Sequence, residues 1–227
     1  QSSARIWHQK AQQSMYPPFT PDQEHHLPNV LSAPRFATYL RVTGNDRTHA
    51  LNLYHWNLQV AAAFMIPLHV LEVALRNAVV EAIEATHGGT WPWTQGFIRS
   101  LPNPGPPAYN PTRDLSTCAA QQPTAGKVVA ELKFAFWESM LTKRHQSRLW
   151  DTHFFSVFPD APPGATADQR RSQLRTDVEA IRKLRNRIAH HEPIFSRALQ
   201  QDLDSILRCI QWRNATTASW VRDIETV

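Results

Sequence analysis

The chain has 227 residues and a hydrophobic content of 42 %, which places it among globular proteins with a sizeable core. Lys and Arg outnumber Asp and Glu by 24 to 19, giving a net charge of +5 and a pI near 9.6; an anionic partner such as nucleic acid is favoured without being singled out. Two cysteines, Cys118 and Cys209, with no C-x-x-C exclude a disulfide framework and a cysteine zinc site and point to a reducing cytoplasm.

The prolines, 17 against 7 glycines, punctuate the chain. The start, "QSSARIWHQK", has no charged segment followed by an apolar one, so a trimmed N-terminus without a signal peptide is expected. Residues 1–33, with "YPPFTPDQEHHLPNVLSAP", read as a proline-broken surface extension, partly disordered, whose His25 and His26 are solvated loop residues. Residues 34–227 read as a single helical domain. Asp46 can cap a helical stretch to about Thr86, with Leu51, Tyr54, Leu58, Ala62, Leu68, Leu71, Leu75, Val79 and Ala82 at helical spacing, and Pro67 divides or kinks it. Thr48 to Leu71 carries no charged residue other than histidine. His49, Asn52, His55, Asn57, Gln59 and Pro67 would be costly in hydrocarbon, so a buried core helix is preferred to a membrane span.

"HGGTWPW" ends that helix, because paired glycines accept the left-handed conformation and Pro92 cannot continue it. Residues 98–125 are dense in turn formers and read as a long loop or lid. A third helix is expected over "GKVVAELKFAFWESMLTKR", with Val128, Leu132, Ala135, Trp137 and Leu141 inward. After the turn "VFPDAPPGATAD", Thr166 or Asp168 caps a fourth helix to about His190, Ser196 a fifth to about Asn214, and a short sixth follows Thr216. No alternating run is long enough for a strand, so the fold class is all-α. Trp56, Trp137 and Trp150 are expected in the core, while Trp91 and Trp93 sit in a loop. "LTKRHQSR" (141–148) and "DQRRSQLR" (168–175) are solvated helix faces or tracks for a phosphate backbone.

The chemistry concentrates at "KLRNRIAHHEPIF". On a helix turning about 100° per residue, Leu174, Val178, Ile181, Leu184 and Ile188 form one broad core face. Asn186 and His190, four apart, share a flank off that face, where the amide can hydrogen-bond a ring nitrogen, and Arg185 lies at the margin of the core stripe. The helix is expected to stop because Glu192 precedes a proline. Read functionally, His190 is an acid–base group and Arg185 a phosphate clamp, a pair suited to RNA cleavage by the neighbouring 2′-hydroxyl without a metal. Alternatively, Arg185 pairs with an acidic residue such as Glu72 to lock two helices, and Asn186 and His190 merely cap the helix end; spacing leaves both open. Adjacent histidines point to different faces and no H-x3-H partner exists, so His190, His191 and Glu192 are not read as a metal site and no cofactor is expected.

"LRNRIAHHEPIF" resembles the R-x4-6-H motif of the HEPN superfamily, in the R-N-x-x-x-H-H-E-P-I form of bacterial abortive-infection (Abi-like) proteins. "ALNLYHWNLQVAAAFMIPLHVLEVALRNAV" is similar to that family's tyrosine–tryptophan–asparagine helix and the L-E-x-x-L-R-N helix after it; "HGGTWPW" and "VVAELKFAFWESML" are similar to its later segments, although "LKFAFW" lacks the family's usual Gly before the second Phe. The resemblance covers roughly residues 35–195, in order. It implies a helical bundle of about five to seven helices that dimerises through the helices around the motif, so that Arg and His of two chains face one cleft. It also implies a cytoplasmic bacterial protein acting as a metal-independent endoribonuclease, a toxin or phage-defence effector. Carried over residue by residue, Arg185, Asn186 and His190 are the catalytic candidates. Arg182, Arg187, His191, Glu192, Glu72, Arg76 and Asn77 are supporting or RNA-binding candidates, with Glu72 and Arg76 spaced for an ion pair. The expected partners are an RNA substrate, a second copy of the chain, and an antitoxin or small RNA; no membrane is expected. A module that binds RNA or an antitoxin without cutting is the alternative.

Overall fold

A computed structural model describes residues 18–227, and all regular structure among the described residues is helical. In chain order the α-helices are α1 (Pro21–Val30), α2 (Ala33–Val42), α3 (Arg47–Ala63), α4 (Met65–His87), α5 (Gln95–Ser100), α6 (Pro111–Gln121), α7 (Ala125–Glu131), α8 (Phe134–Met140), α9 (Asp151–Val157), α10 (Ala167–Ala189), α11 (Leu199–Arg213) and α12 (Ala215–Ile224). Single 3-10 turns occur at Trp91–Trp93 and Lys143–His145, and a π turn at Gln146–Trp150. The described residues divide into two compact units. One holds the residues up to Ile66 with Leu184–Leu203 and the last two residues; the other holds Pro67–Lys183 with Asp204–Glu225.

In the first unit the proline-rich entry is more ordered than its composition predicts. Residues 1–17 lie outside the described residues, but Thr20 and Gln23 form a reciprocal capping box, Pro21 occupies the first helical position, and α1 follows. His25 and His26 are therefore exposed helical residues. Thr48 Oγ1 donates to Glu24 Oε1 at 2.7 Å, which ties α1 to α3. Asp46 caps α3 as expected, accepting the His49 N–H at 2.8 Å. The break in the long apolar stretch falls at Phe64, three residues before Pro67, because proline has no N–H to bond the carbonyl four residues back and its ring would strike that carbonyl; it is tolerated only in a first turn, and α4 starts afresh at Met65. By length and composition the 47–87 stretch could cross a membrane. Within this unit, however, Ala50, Leu51, Leu53, Trp56 and Phe64 are buried with Phe36 and Tyr39 of α2. Tyr39 packs its ring against Tyr54 at 5.0 Å and Phe195 at 5.2 Å.

In the second unit Leu68, Leu71, Leu75, Val79 and Ala82 are buried, as their spacing predicts, and α4 ends at Gly88 with φ +77°. Trp91, Phe97, Phe136, Trp137, Trp150 and Phe154 form an aromatic core. The 98–125 segment is not one loop. Asn110 accepts the Arg113 N–H at 2.8 Å, Pro111 takes the first helical position, and α6 buries Leu115 and Cys118. The expected helix over 126–144 is broken at Leu132 and Lys133, which are extended. A continuous helix would place Leu132 and Phe134 about 200° apart, yet both are buried, so packing overrides helix continuity.

The basic stretches are structural in large part. Arg171, 4 % exposed, donates to the Leu141 carbonyl at 2.6 Å, to Gln146 and to Asp168. Arg170 bonds the Pro162 and Pro163 carbonyls and lies over the Trp212 ring; Arg144 donates to the Ser100 carbonyl at 2.7 Å. These three guanidiniums hold the backbone, so they do not form the phosphate track that their sequence allows.

Candidate active site at the end of α10

Thr166 and Gln169 open α10 with a capping box, Thr166 accepting the Gln169 N–H at 3.3 Å and Gln169 the Thr166 N–H at 2.9 Å. Along the helix Leu174, Val178, Ile181 and Leu184 are fully buried, and Ile188 is half-buried. The helix stops at Ala189 by a Schellman motif: the Glu192 N–H donates to the Arg187 carbonyl at 2.8 Å and the His191 N–H to the Ile188 carbonyl at 3.0 Å. His191 holds the left-handed position, φ +57°, normally given to glycine. The pre-proline effect expected at Glu192 therefore acts downstream of a stop already made.

Arg185 and Asn186 are half-buried on the last full turn, and His190 is exposed one residue past it. The Asn186 carbonyl accepts the His190 N–H at 2.9 Å, and no side-chain bond joins the two, so the tautomer is not set by that amide. Arg187 turns away from this flank: its guanidinium donates twice to the Pro193 carbonyl, at 3.0 and 2.7 Å, and lies 3.4 Å from the Glu192 carboxylate. The Ile194 N–H then donates to Oδ1 of Asn57 at 2.8 Å, which seats the buried Ile194. Arg187 and Asn57 thus fix the chain leaving the motif.

A cleft of about 380 Å³ opens in the same unit, lined among others by Arg35, Tyr39, Tyr54, Asn57, His191 and Glu192. Ser32, also on its wall, has φ +74°, so two non-glycine residues with left-handed backbone border one cavity. Burial, then the neighbouring Tyr54, holds the Tyr39 phenol far above its ordinary pKa, so it stays a neutral hydroxyl. Arg35, Ser32 and Tyr39 were not legible as site residues: they lie about 150 residues from the motif and carry no periodic or motif signal.

Four further candidates belong to the second unit. Arg182 donates to the Glu138 carboxylate. Glu72 and Arg76 are half-buried on α4 and Asn77 is exposed; the buried Arg76 Nε has no hydrogen-bond partner among the described residues. No group of three or more His, Cys, Asp or Glu among the described residues is placed to hold a metal ion. No protein-family profile matches the chain, and neither a characterised protein nor a solved structure matches it.

Proposed function

We propose that the chain is a HEPN-type endoribonuclease of the abortive-infection kind, acting as a homodimer. The observation that carries the reading is the motif's local architecture: Arg185, Asn186 and an exposed His190 lie at the end of α10, and hydrogen bonds from Arg187 and to Asn57 hold the chain that leaves it. In the reaction His190 of one copy removes the 2′-hydroxyl proton. The 2′-oxygen bonds the adjacent phosphorus, the bond to the 5′-oxygen breaks, and that oxygen takes a proton from the imidazolium of the second copy. Arg185 steadies the charge on the phosphorane. The nucleophile is internal to the RNA and needs no activated water, so the chemistry runs without a metal. The products are a 2′,3′-cyclic phosphate and a 5′-hydroxyl.

The test is purified protein with labelled single-stranded RNA in EDTA. Wild type is expected to cut, and His190→Ala and Arg185→Ala to lose about 10²–10⁴ in rate with unchanged far-ultraviolet dichroism. RNA binding without cutting by wild type would instead assign the non-catalytic module.

A further inference from the structure

The cleft beside the motif carries a hydrogen-bond pattern of its own. Asn57 is 5 % exposed, and its Oδ1 is committed to the buried Ile194 N–H. A backbone N–H can only meet the amide's oxygen, so the orientation of that amide is determined: Nδ2 is left for the cleft that Asn57 lines, and among the described residues it donates to nothing. Glu192, on the same lining, carries a carboxylate, which only accepts and whose Oε2 lies 3.4 Å from Arg187 Nη1. Leu58, Ala61 and Ile188 supply apolar wall, and Arg35 adds an exposed cation. At about 380 Å³ the cavity falls at the small end of ligand sites, which run about 300–1,000 Å³.

We propose that this cleft is a guanine-selective subsite. It rests on the ribonuclease reading for its substrate, an unpaired nucleotide of RNA. Guanine offers a carbonyl O6 to the Asn57 donor, and its N1–H and N2–H donate side by side to the Glu192 carboxylate. The flat face of the base lies on the apolar wall, and Arg35 meets the phosphate. Adenine presents the reverse edge, a donor facing the Asn57 donor and a ring lone pair facing the carboxylate, and cytosine does the same. Uracil has a single N–H for Glu192. Such bidentate matching discriminates between bases by about tenfold or more.

The experiment has two arms. Calorimetric titration of the full chain with GMP, AMP, UMP and CMP reads the cleft without any cleavage, and cut-site mapping on single-stranded RNA reads it in the reaction. GMP is expected to bind at least about tenfold tighter than the other three, and cuts to fall next to guanine. Glu192→Gln removes the paired acceptor, and Asn57→Asp keeps an acceptor for Ile194 while turning the cleft's donor into an acceptor; each is expected to erase the preference for GMP. GMP selectivity without any RNA cutting upholds the subsite and overturns the nuclease. Cutting at all bases, with four equal or undetectable nucleotide affinities, overturns the subsite and leaves the nuclease. Because Asn57 is buried, thermal melting accompanies both variants; if Asn57→Asp does not fold, Glu192→Gln and the wild-type selectivity decide the question.

Discussion

At the position after His190 the backbone demands a left-handed residue, and the chain supplies a second histidine. For a β-carbon-bearing residue this conformation costs about 1–2 kcal/mol, so His191→Gly is expected to raise the urea midpoint by an amount equivalent to about 1 kcal/mol; an unchanged or lower midpoint would mean that the side chain's contacts outweigh the backbone strain. A second residue-scale effect belongs to His145, buried at 1 % exposure with Nε2 unpartnered. Burial first, then Arg144 and Arg148, pushes its pKa down from 6.5 to about 4. Below pH 6.5 the unfolded chain takes up a proton that the folded one refuses, so stability declines as pH falls through the window from 6.5 to 4 and is unaffected above it. The expected loss at pH 5 is about 2 kcal/mol relative to pH 7, measured by urea unfolding. His145→Leu should abolish most of that slope.

At the level of elements, the end of α10 is a mechanical unit in which a Schellman stop, the Arg187 clasp and the Asn57 seat succeed one another between Arg187 and Ile194. Arg187 is part-exposed, so its bonds to the Pro193 carbonyl are screened, and Arg187→Ala is expected to cost about 1–2 kcal/mol. Its diagnostic readout is local: amide exchange at Glu192 and Ile194 should accelerate more than exchange at Leu184 or Ile181, as expected for a fraying helix end. Uniform acceleration along the helix would show that Arg187 supports the unit as a whole. The break between α7 and α8 teaches a related lesson in the second unit, since burial of Leu132 and of Phe134 on opposite sides of one helical course is met by two extended residues.

For the whole molecule, one copy offers a single His190, whereas the proposed reaction uses a base and an acid. Light scattering is expected to give twice 25.9 kDa. Mixing wild-type with an equal amount of His190→Ala chains, after exchange of subunits, should leave about a quarter of the activity per total protein, because mixed pairs form statistically at twice the frequency of either parent and lack one imidazole. Activity falling only to about three-quarters would show that one histidine suffices in each pair.

The all-helical class, the Asp46, Thr166 and Gly88 boundaries, the inward stripe Leu174, Val178, Ile181 and Leu184, and the burial of Trp56, Trp137 and Trp150 could be read from sequence, since caps and apolar periods act within a few residues of where they are written. The capping box before Pro21 and the Asn110 cap before Pro111 were equally local signals, hidden under a proline content that reads as loop. Spacing set Arg185, Asn186 and His190 together near the end of a helix but left their role open. Tertiary structure decided what spacing cannot express: that Arg170 and Arg171 hold carbonyls, that Arg187 clasps Pro193, that Asn57 bonds Ile194 137 positions away, and that Arg35 and Tyr39 border the cleft with His191. Those roles are set by which distant groups desolvate one another, a quantity that exists only once the chain has closed on itself.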